Sequence, residues 1–196
     1  MLGPITLNGS HIRLEPLRPH HFAGLLSAGQ NESIFTHLSA PLNTPEAIDS
    51  FIMAALSAEV KGEEYAFAVV RQSDGVVLGS TRFMDVVEPQ KNVEIGWTWY
   101  MQEVWGTAVN PEAKYLLLCH AFDTWGAKRV CWKTDERNVR SQAAIKKLGA
   151  QYEGAFRNHR RRRDGSWRNT VYFSVIDAEW PGVKTGLETR LAGYGE

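Results

Sequence analysis

The sequence predicts an α/β (α+β) protein, in which helices pack on a mixed, mostly antiparallel twisted sheet. Three β-branched and aromatic segments, "YAFAVVRQ", "GVVLGSTRFMDVV" and "NVEIGWTWYM", are separated by turn residues and predict an antiparallel meander. Helix, strand, helix and a last hairpin follow the meander, an order typical of a mixed sheet covered by helices. With 196 residues, 43% of them hydrophobic, the chain can bury one core, and we expect a single domain over 1–196.

The N-terminal elements precede this meander. In "ITLNGSHIRLEPL", two alternating runs flank Asn8 and Gly9, which predicts a strand pair joined by a tight turn. "RPHHFAGLLSAGQ" predicts a short helix with Pro19 in its first turn. In the next segment, Thr44 caps a longer helix and Pro45 takes its first position. Apolar residues recur there at helical spacing: Ile48, Phe51, Ile52, Ala55 and Leu56.

The C-terminal half alternates helices and strands. A long apolar helix begins at Asn110 and Pro111, and "KRVCWKTD" predicts the strand that follows it. "NVRSQAAIKKLG" predicts a second helix, and "AQYEGAFRNH" and "WRNTVYFSVID" predict two strands joined across Asp164 and Gly165. A covering helix is expected over about residues 178–192. In total we expect about seven strands.

Charge and cysteine content exclude several classes of function. Twenty-two basic side chains balance twenty-two acidic ones, so no general field attracts the chain to nucleic acid or anionic lipid. Only Cys119 and Cys131 are present, without metal-site spacing, so we expect two reduced thiols and no metal. The sequence contains neither an apolar run of about 18 residues nor a signal-peptide pattern. We therefore expect a soluble, cytoplasmic protein without a membrane partner.

The turn "EVWGTAVNPEAK" combines a glycine, small residues and a helix start. The first turn of a helix exposes unpaired N–H groups and a partial positive charge, which together attract anions, phosphates above all. Gly106 permits close approach of the backbone, and Thr107 and Ala108 keep that approach open. An ordinary strand-to-helix connection explains this stretch alone equally well, and it is neither a Walker loop nor GxGxxG.

The second helix of the C-terminal half adds a more specific pattern. Asn138 can cap this helix, Ser141 falls one turn later, and Lys147 and Gly149 mark its end. Asn-x-x-Ser, then Lys-Leu-Gly-Ala, about 30 residues after a Gly-x-Ala helix start, resembles the GCN5-related N-acetyltransferases (GNAT). The branch that acetylates the N-terminal amines of ribosomal proteins (RimJ/RimL-like) is the most similar. The resemblance extends from "IRLEPLRPHHF" to "RNTVYFSVIDAEW".

The resemblance implies the GNAT fold, in which two parallel strands splay apart to hold acetyl-CoA. It places the pantetheine arm along the backbone of Thr98, Trp99 and Tyr100, and it implies contacts of Asn138 and Ser141 near the thiol. Lys147 would reach a phosphate. The pyrophosphate would bind at the turn, against Trp105, Gly106, Thr107, Ala108, Val109 and Asn110.

The match to the family is not complete. Glu103 stands where family members usually carry Gln or Arg, which adds no favourable charge for a phosphate. The family also implies a homodimer formed through the last strands.

The implied reaction is direct transfer of an acetyl group to an amine in a ternary complex, without a nucleophilic cysteine. The amine must first lose a proton, since an alkylamine with a pKa of about 10 is charged at neutral pH. Glu94 is the candidate base, although a salt-bridged strand residue is an equal interpretation. Ser141 is the candidate proton donor to the leaving thiolate, because Ile145 occupies the place of the tyrosine that many relatives carry.

The acceptor stays open at the level of sequence. A protein N-terminus or peptide-like amine is the first hypothesis, and an amino acid, polyamine or antibiotic is the alternative. An inactive CoA-binding or RNA-associated module is the third. The run Arg160–Arg163 could select an acidic acceptor or bind RNA, but a solvated or dimer-contacting run is favoured, because alternating strand residues point in opposite directions. Trp97, Trp99 and Trp167 are candidate pocket walls.

Overall fold

Eight strands form one open sheet in the computed structural model, which describes residues 2–194. The strands are β1 (Leu7–Asn8), β2 (Ile12–Pro16), β3 (Tyr65–Arg71), β4 (Val77–Val87), β5 (Asn92–Tyr100), β6 (Arg129–Asp135), β7 (Gln151–Arg161) and β8 (Trp167–Ile176). Their order in the sheet is β1-β2-β3-β4-β5-β6-β8-β7, and every neighbouring pair is antiparallel except β5 and β6. The predicted mixed sheet is confirmed, with one strand more than expected. The predicted domain includes Met1, Gly195 and Glu196, which lie outside the described residues.

Within the described residues, five α-helices accompany the sheet, each close to its predicted place. They are α1 (Phe22–Ala28), α2 (Pro45–Val60), α3 (Val109–Cys119), α4 (Val139–Lys146) and α5 (Trp180–Ala192). The hydroxyl of Thr44 accepts a hydrogen bond from the Ala47 N–H at 3.2 Å, which confirms the predicted cap of α2. A π-helix that was not predicted, His120–Trp125, extends α3. Within residues 2–194, no helix combines the length and the apolar character needed to cross a bilayer.

The central strand β3 is buried on both faces of the sheet. Along β3, Phe67 and Val69 join the core that contains α3 and α5, whereas Ala66, Ala68 and Val70 join the core beneath α1 and α2. This alternation follows from the two-residue period of a strand. It explains why β3 is almost continuously apolar in sequence.

The parallel pair of strands separates almost as soon as it forms. Only Asn92–Glu94 of β5 pairs with β6, opposite Arg129–Cys131. Beyond Glu94, a bulge bends β5. Arg82 of β4 pairs with Gly96 whereas Ser80 pairs with Trp99, so the register between β4 and β5 shifts by one residue. Trp97 lies at the bulge with φ of +48°. The β6 side of β5 is therefore free of strand pairing over its second half.

A buried carboxylate attaches the first hairpin to α3. Glu112, in the first turn of α3, accepts hydrogen bonds from the N–H groups of Ser10, His11 and Ile12 at 2.7, 2.9 and 2.8 Å. The expected strand pair is present, but Gly9 does not adopt a positive φ. A Cβ at Gly9 would lie 2.6 Å from the Glu112 carboxyl carbon, so glycine is needed there for space rather than for turn geometry.

Glu112→Gln tests this attachment. An amide offers only one acceptor oxygen to three N–H donors and turns its own NH₂ towards them, so we expect a loss of about 2–4 kcal/mol in the free energy of unfolding. Urea denaturation measures the loss, and Glu63→Gln, an exposed position, is the control. Equal stability of the two variants would show that the carboxylate does not hold the hairpin.

Candidate active site

A cleft of about 300 Å³ opens where β5 and β6 diverge. Its walls are the second half of β5, the turn before α3, the end of β6 and the first turns of α4. The structure brings together eight of the residues predicted for a cofactor site, which all line this cleft: Thr98, Trp99, Tyr100, Trp105, Gly106, Asn110, Asn138 and Ser141. Trp97 also lines it, whereas Trp167 does not.

The turn before α3 presents free hydrogen-bond donors. Gly106 has φ of +80°, and no atom lies within 4 Å of the position that a Cβ would occupy. Within residues 2–194, the backbone N–H groups of Gly106 and Ala108 have no acceptor, while the Val109 N–H is bound by the Thr107 hydroxyl at 3.3 Å. Free N–H groups at a helix start fit a pyrophosphate. Thr107, Ala108 and Val109 do not line the cleft itself, and the Glu103 side chain is exposed.

The free edge of β5 offers backbone groups to an extended ligand. The side chains of Trp99 and Tyr100 are buried in the cores, so the cleft meets this part of β5 mainly through its main chain. The Trp105 indole N–H donates to the Tyr100 carbonyl at 3.1 Å, which attaches the turn to the strand end. The Arg140 guanidinium lies 3.6 Å from the centre of the Trp105 ring. This contact connects the turn to α4 across the cleft.

The first turn of α4 carries the candidate proton donor. The Asn138 side chain accepts a hydrogen bond from the Ser141 N–H at 3.0 Å, which confirms the predicted cap. The Ser141 hydroxyl has no hydrogen-bond partner among the described residues and can donate to a ligand in the cleft. Lys147 follows the far end of α4, is exposed and does not line the cleft, so its contact with a phosphate stays a prediction.

Glu94 is only 3% exposed, and Lys133 lies 2.8 Å from its carboxylate. Burial raises the pKa of Glu94 to about 7, although the hydrogen bond and charge of Lys133 oppose this shift. Lys133 also contacts Asp85 at 2.9 Å and lines the cleft, whereas Glu94 does not. Glu94 therefore fits both interpretations, as a salt-bridged strand residue and as a candidate base, because it is salt-bridged and has a pKa suited to a base.

Lys114 lines the cleft and was missed by the sequence analysis. Its ammonium group is buried and donates to the hydroxyls of Thr81 and Thr98 at 2.9 and 2.6 Å. Within residues 2–194, no carboxylate lies within 4.0 Å of it. Burial lowers the pKa of Lys114 to about 7. Helical spacing was the available signal, since Lys114 stands three and seven residues before Leu117 and Ala121, which are apolar in sequence and fully buried in the structure.

A second cavity of about 900 Å³, which we call the arginine groove, adjoins the cleft. It lies between the loop before α2 and the β7–β8 hairpin, and the residues that line it are Glu32, Ser33, Thr36, His37, Leu38, Ser39, Asp135, Arg137, Arg160, Arg161, Arg162, Arg163, Asp164 and Arg168. His37, Leu38 and Arg168 line both cavities. Burial lowers the pKa of His37. From the sequence, Arg160–Arg163 could select an acidic acceptor or bind RNA, with a solvated or dimer-contacting run favoured, and no pattern pointed to His37 or Arg168.

The cysteines line neither cavity. Both are free and half-buried. Burial raises the pKa of the Cys119 thiol, and it raises that of Cys131 to about 11, so both stay protonated and unreactive at neutral pH. This agrees with a reaction that needs no thiol nucleophile.

One group of side chains in the described part of the chain, Glu15, His20 and His21, has the spacing of metal ligands. His21 already bonds to the Glu15 carboxylate at 2.9 Å and accepts from the Arg18 N–H at 3.1 Å, so its ring nitrogens have protein partners. The expectation that the protein holds no metal stays a prediction.

Comparisons with known proteins agree with this geometry. Residues 11–151 match the family described as the acetyltransferase (GNAT) domain. The chain belongs to the GNAT acetyltransferase family. This family uses acetyl-CoA and acts on amines. In the search of curated proteins, no sequence matches significantly.

Solved structures extend this assignment across most of the chain. A structure assigned to an acetyltransferase from T. thermophilus is 38% identical with a TM-score of 0.83, and the match covers 96% of this chain and 97% of that one. A GCN5-related N-acetyltransferase from Brucella melitensis is 28% identical with a TM-score of 0.89, covering 96% and 86%. Mycobacterium smegmatis RimJ in complex with CoA-disulfide has a TM-score of 0.84 over 95% of each chain, but at 17% identity it shows only a common fold.

Lys114→Met tests whether the buried lysine is neutral in the folded protein. The pKa of Lys114 falls from its ordinary 10.5 to about 7 in the folded protein. Between these two pH values the lysine is therefore protonated in the unfolded chain and neutral in the native state. This group therefore makes the protein more stable as pH rises from about 7 to 10.5, by a few kcal/mol in all.

The measurement is the difference in unfolding free energy between wild type and Lys114→Met at several pH values. The difference should change across this window, with the variant favoured at the acidic end. Thr81 and Thr98 already bond to each other at 2.8 Å, so their hydroxyls keep a partner when the lysine is removed. A difference independent of pH would contradict the buried neutral amine.

Proposed function

We propose that the protein transfers the acetyl group of acetyl-CoA to a protein N-terminus or peptide-like amine, by direct attack in a ternary complex. The observation that carries this proposal is the junction of the cleft with the arginine groove at His37, Leu38 and Arg168. A small acceptor needs only the cleft. A groove that continues beyond it for about 900 Å³ has room for several residues of a chain.

The cleft residues would bind acetyl-CoA in sections. The free N–H groups of Gly106 and Ala108 take the pyrophosphate, and the free edge of β5 from Thr98 to Tyr100 pairs with the amides of the pantetheine arm. Asn138 fixes the first turn of α4, so that the Ser141 hydroxyl points into the cleft. Acetyl-CoA supplies the thioester, and the protein supplies its orientation next to the groove.

Two protons must move during transfer. Glu94 is the proposed base, because its pKa of about 7 lets it take a proton from the amine, through water, at neutral pH. Lys133 bonds to Glu94 and lines the cleft, so the buried carboxylate lies one side chain away from the site. Ser141 is the proposed donor of the second proton to the leaving thiolate, and it regains a proton from the nitrogen, which loses one as the amide forms.

The alternatives predict other outcomes. Acetylation of a small amine would use the cleft and leave the groove without a role. An inactive CoA-binding or RNA-associated module would bind without turnover. We favour the branch that acetylates ribosomal proteins, because the chain has the same fold as RimJ. We also propose that the chain is a single domain and that it acts in the cytoplasm. A homodimer through the last strands is supported by exposed aromatic side chains there, since Tyr152, Phe156 and Trp167 are 57, 58 and 54% exposed.

Gly106→Glu tests the cofactor site. A carboxylate at this position puts a negative charge and a side chain where the pyrophosphate would bind, so calorimetric titration should show affinity for acetyl-CoA reduced by at least about 100-fold, or about 2.7 kcal/mol. The control is Gly75→Glu, because Gly75 has a similar φ of +74° and similar open space but lies in the β3–β4 turn. Undiminished affinity in Gly106→Glu would remove the cofactor site from this turn.

Glu94→Gln tests the base. A base acts when deprotonated, so kcat/KM should rise with pH through about 7 in the wild type. The variant should lack the rise near pH 7, and its rate at pH 8 should be about 100-fold lower. The separate rise near pH 8 that comes from titration of the acceptor amine should remain. Lys114→Met removes the other group with a pKa of about 7 and should keep the rise near pH 7. If this rise survives in Glu94→Gln, it belongs to another group.

A further inference from the structure

We propose that the acceptor is a peptide with acidic residues directly after its N-terminal amine, and that Arg160 and Arg168 bind their carboxylates in the arginine groove. This inference rests on the proposed function and names its substrate class. It starts from the charges of the groove, where six arginines face only three carboxylates.

Half of these arginines are already paired. The guanidinium of Arg162 bonds to both oxygens of Asp135 at 2.6 and 2.8 Å. Arg163 lies 3.4 Å from Glu32 and Arg137 lies 3.6 Å from Asp164. The remaining three, Arg160, Arg161 and Arg168, have no carboxylate oxygen within 4.0 Å among residues 2–194. Their charges are available to a ligand.

Arg160 and Arg168 stand directly opposite each other on β7 and β8. Like charges at opposed strand positions destabilise a sheet. Arg168 is also half-buried, and its Nε is fully buried without a hydrogen-bond partner in the described structure. Burial lowers the pKa of Arg168, and the charges of Arg160 and Arg162 lower it further. A carboxylate between the two side chains would relieve their repulsion.

The position of Arg168 fixes where such a carboxylate would lie. Arg168 lines both the cleft and the arginine groove, whereas Arg160 lines only the groove. An acid bound at Arg168 would therefore lie beside the transfer site, close to the reacting amine, and further acids would lie along the groove at Arg160. Acidic residues immediately after the N-terminus match this arrangement.

The lining favours a peptide over RNA. Among the described residues, His37 is the only aromatic side chain that lines the groove, whereas single-stranded RNA is commonly held by stacking of successive bases on several aromatic rings. The opposite wall carries the hydroxyls of Ser33, Thr36 and Ser39, which can bond to the main chain of a peptide.

The test compares peptides that differ only at positions two to four: Ser-Glu-Glu-Glu, Ser-Gln-Gln-Gln and Ser-Lys-Lys-Lys, each followed by the same neutral sequence. The release of CoA gives kcat/KM, and mass spectrometry locates the acetyl group. The wild type should prefer the acidic peptide over the neutral one by about tenfold or more. Because this ratio is taken within one protein preparation, the fraction of folded enzyme cancels.

Arg160→Gln and Arg168→Gln should each bring the ratio close to one. Arg160→Glu should turn the preference towards the lysine peptide, which simple loss of folding cannot do. Arg157→Gln is the matched control, because Arg157 is an exposed arginine of β7 that does not line the groove. This control should keep the wild-type ratio.

Other outcomes would overturn the inference in distinguishable ways. Equal rates on acidic and neutral peptides would remove the acidic specificity but leave the proposed function standing. Free glutamate or aspartate as better acceptors than any peptide would assign the groove to small anionic amines. A 15-nucleotide single-stranded RNA that binds more tightly than the acidic peptide, and loses affinity in Arg160→Gln, would assign it to nucleic acid. Acetyl-CoA binding without acetylation of any amine would overturn the proposed function as well.

Discussion

The early separation of two parallel strands is the constraint on which the rest of the site depends. A parallel pair that continued past Glu94 would use the free edge of β5 for its own ladder and close the cleft. The bulge at Trp97 prevents this by bending β5 away from β6, and both faces of the bent strand stay covered by buried cores. The surrounding packing thus supports a strand whose inner edge is left without a partner.

Two buried ionisable groups lie on opposite faces of β5 near this opening: Lys114, which lines the cleft, and Glu94, which does not. Val93 and Ile95 face the core that contains α3, so Glu94 points by alternation to the other face, where Lys133 meets it. Lys114 approaches from α3 and bonds to the hydroxyl of Thr98. Burial shifts both groups in the direction of their neutral forms, which brings the two pKa values to about 7. The same burial that stabilises the fold therefore sets the acid-base properties of the cleft.

Local sequence patterns predicted the helices and strands well. The spacing of apolar residues and helix caps such as Thr44 and Asn138 depend only on residues a few positions apart. The resemblance located most of the cleft for the same reason, since its residues lie in two short segments. Long-range contacts had no such signal. Glu112 binds a loop about 100 residues away, and Arg168 meets the groove only through strand pairing with β7. The purpose of Gly9 was misread because the crowding atom belongs to Glu112.

The stacking of Arg140 on Trp105 has a kinetic consequence. The contact joins the two walls across the cleft, so the long arm of a ligand that threads between them must part it. Arg140 is exposed, and a cation on an aromatic ring at such a site contributes only about 0.5–1 kcal/mol. Thermal rotation of this one exposed side chain therefore breaks the contact between the two walls within nanoseconds.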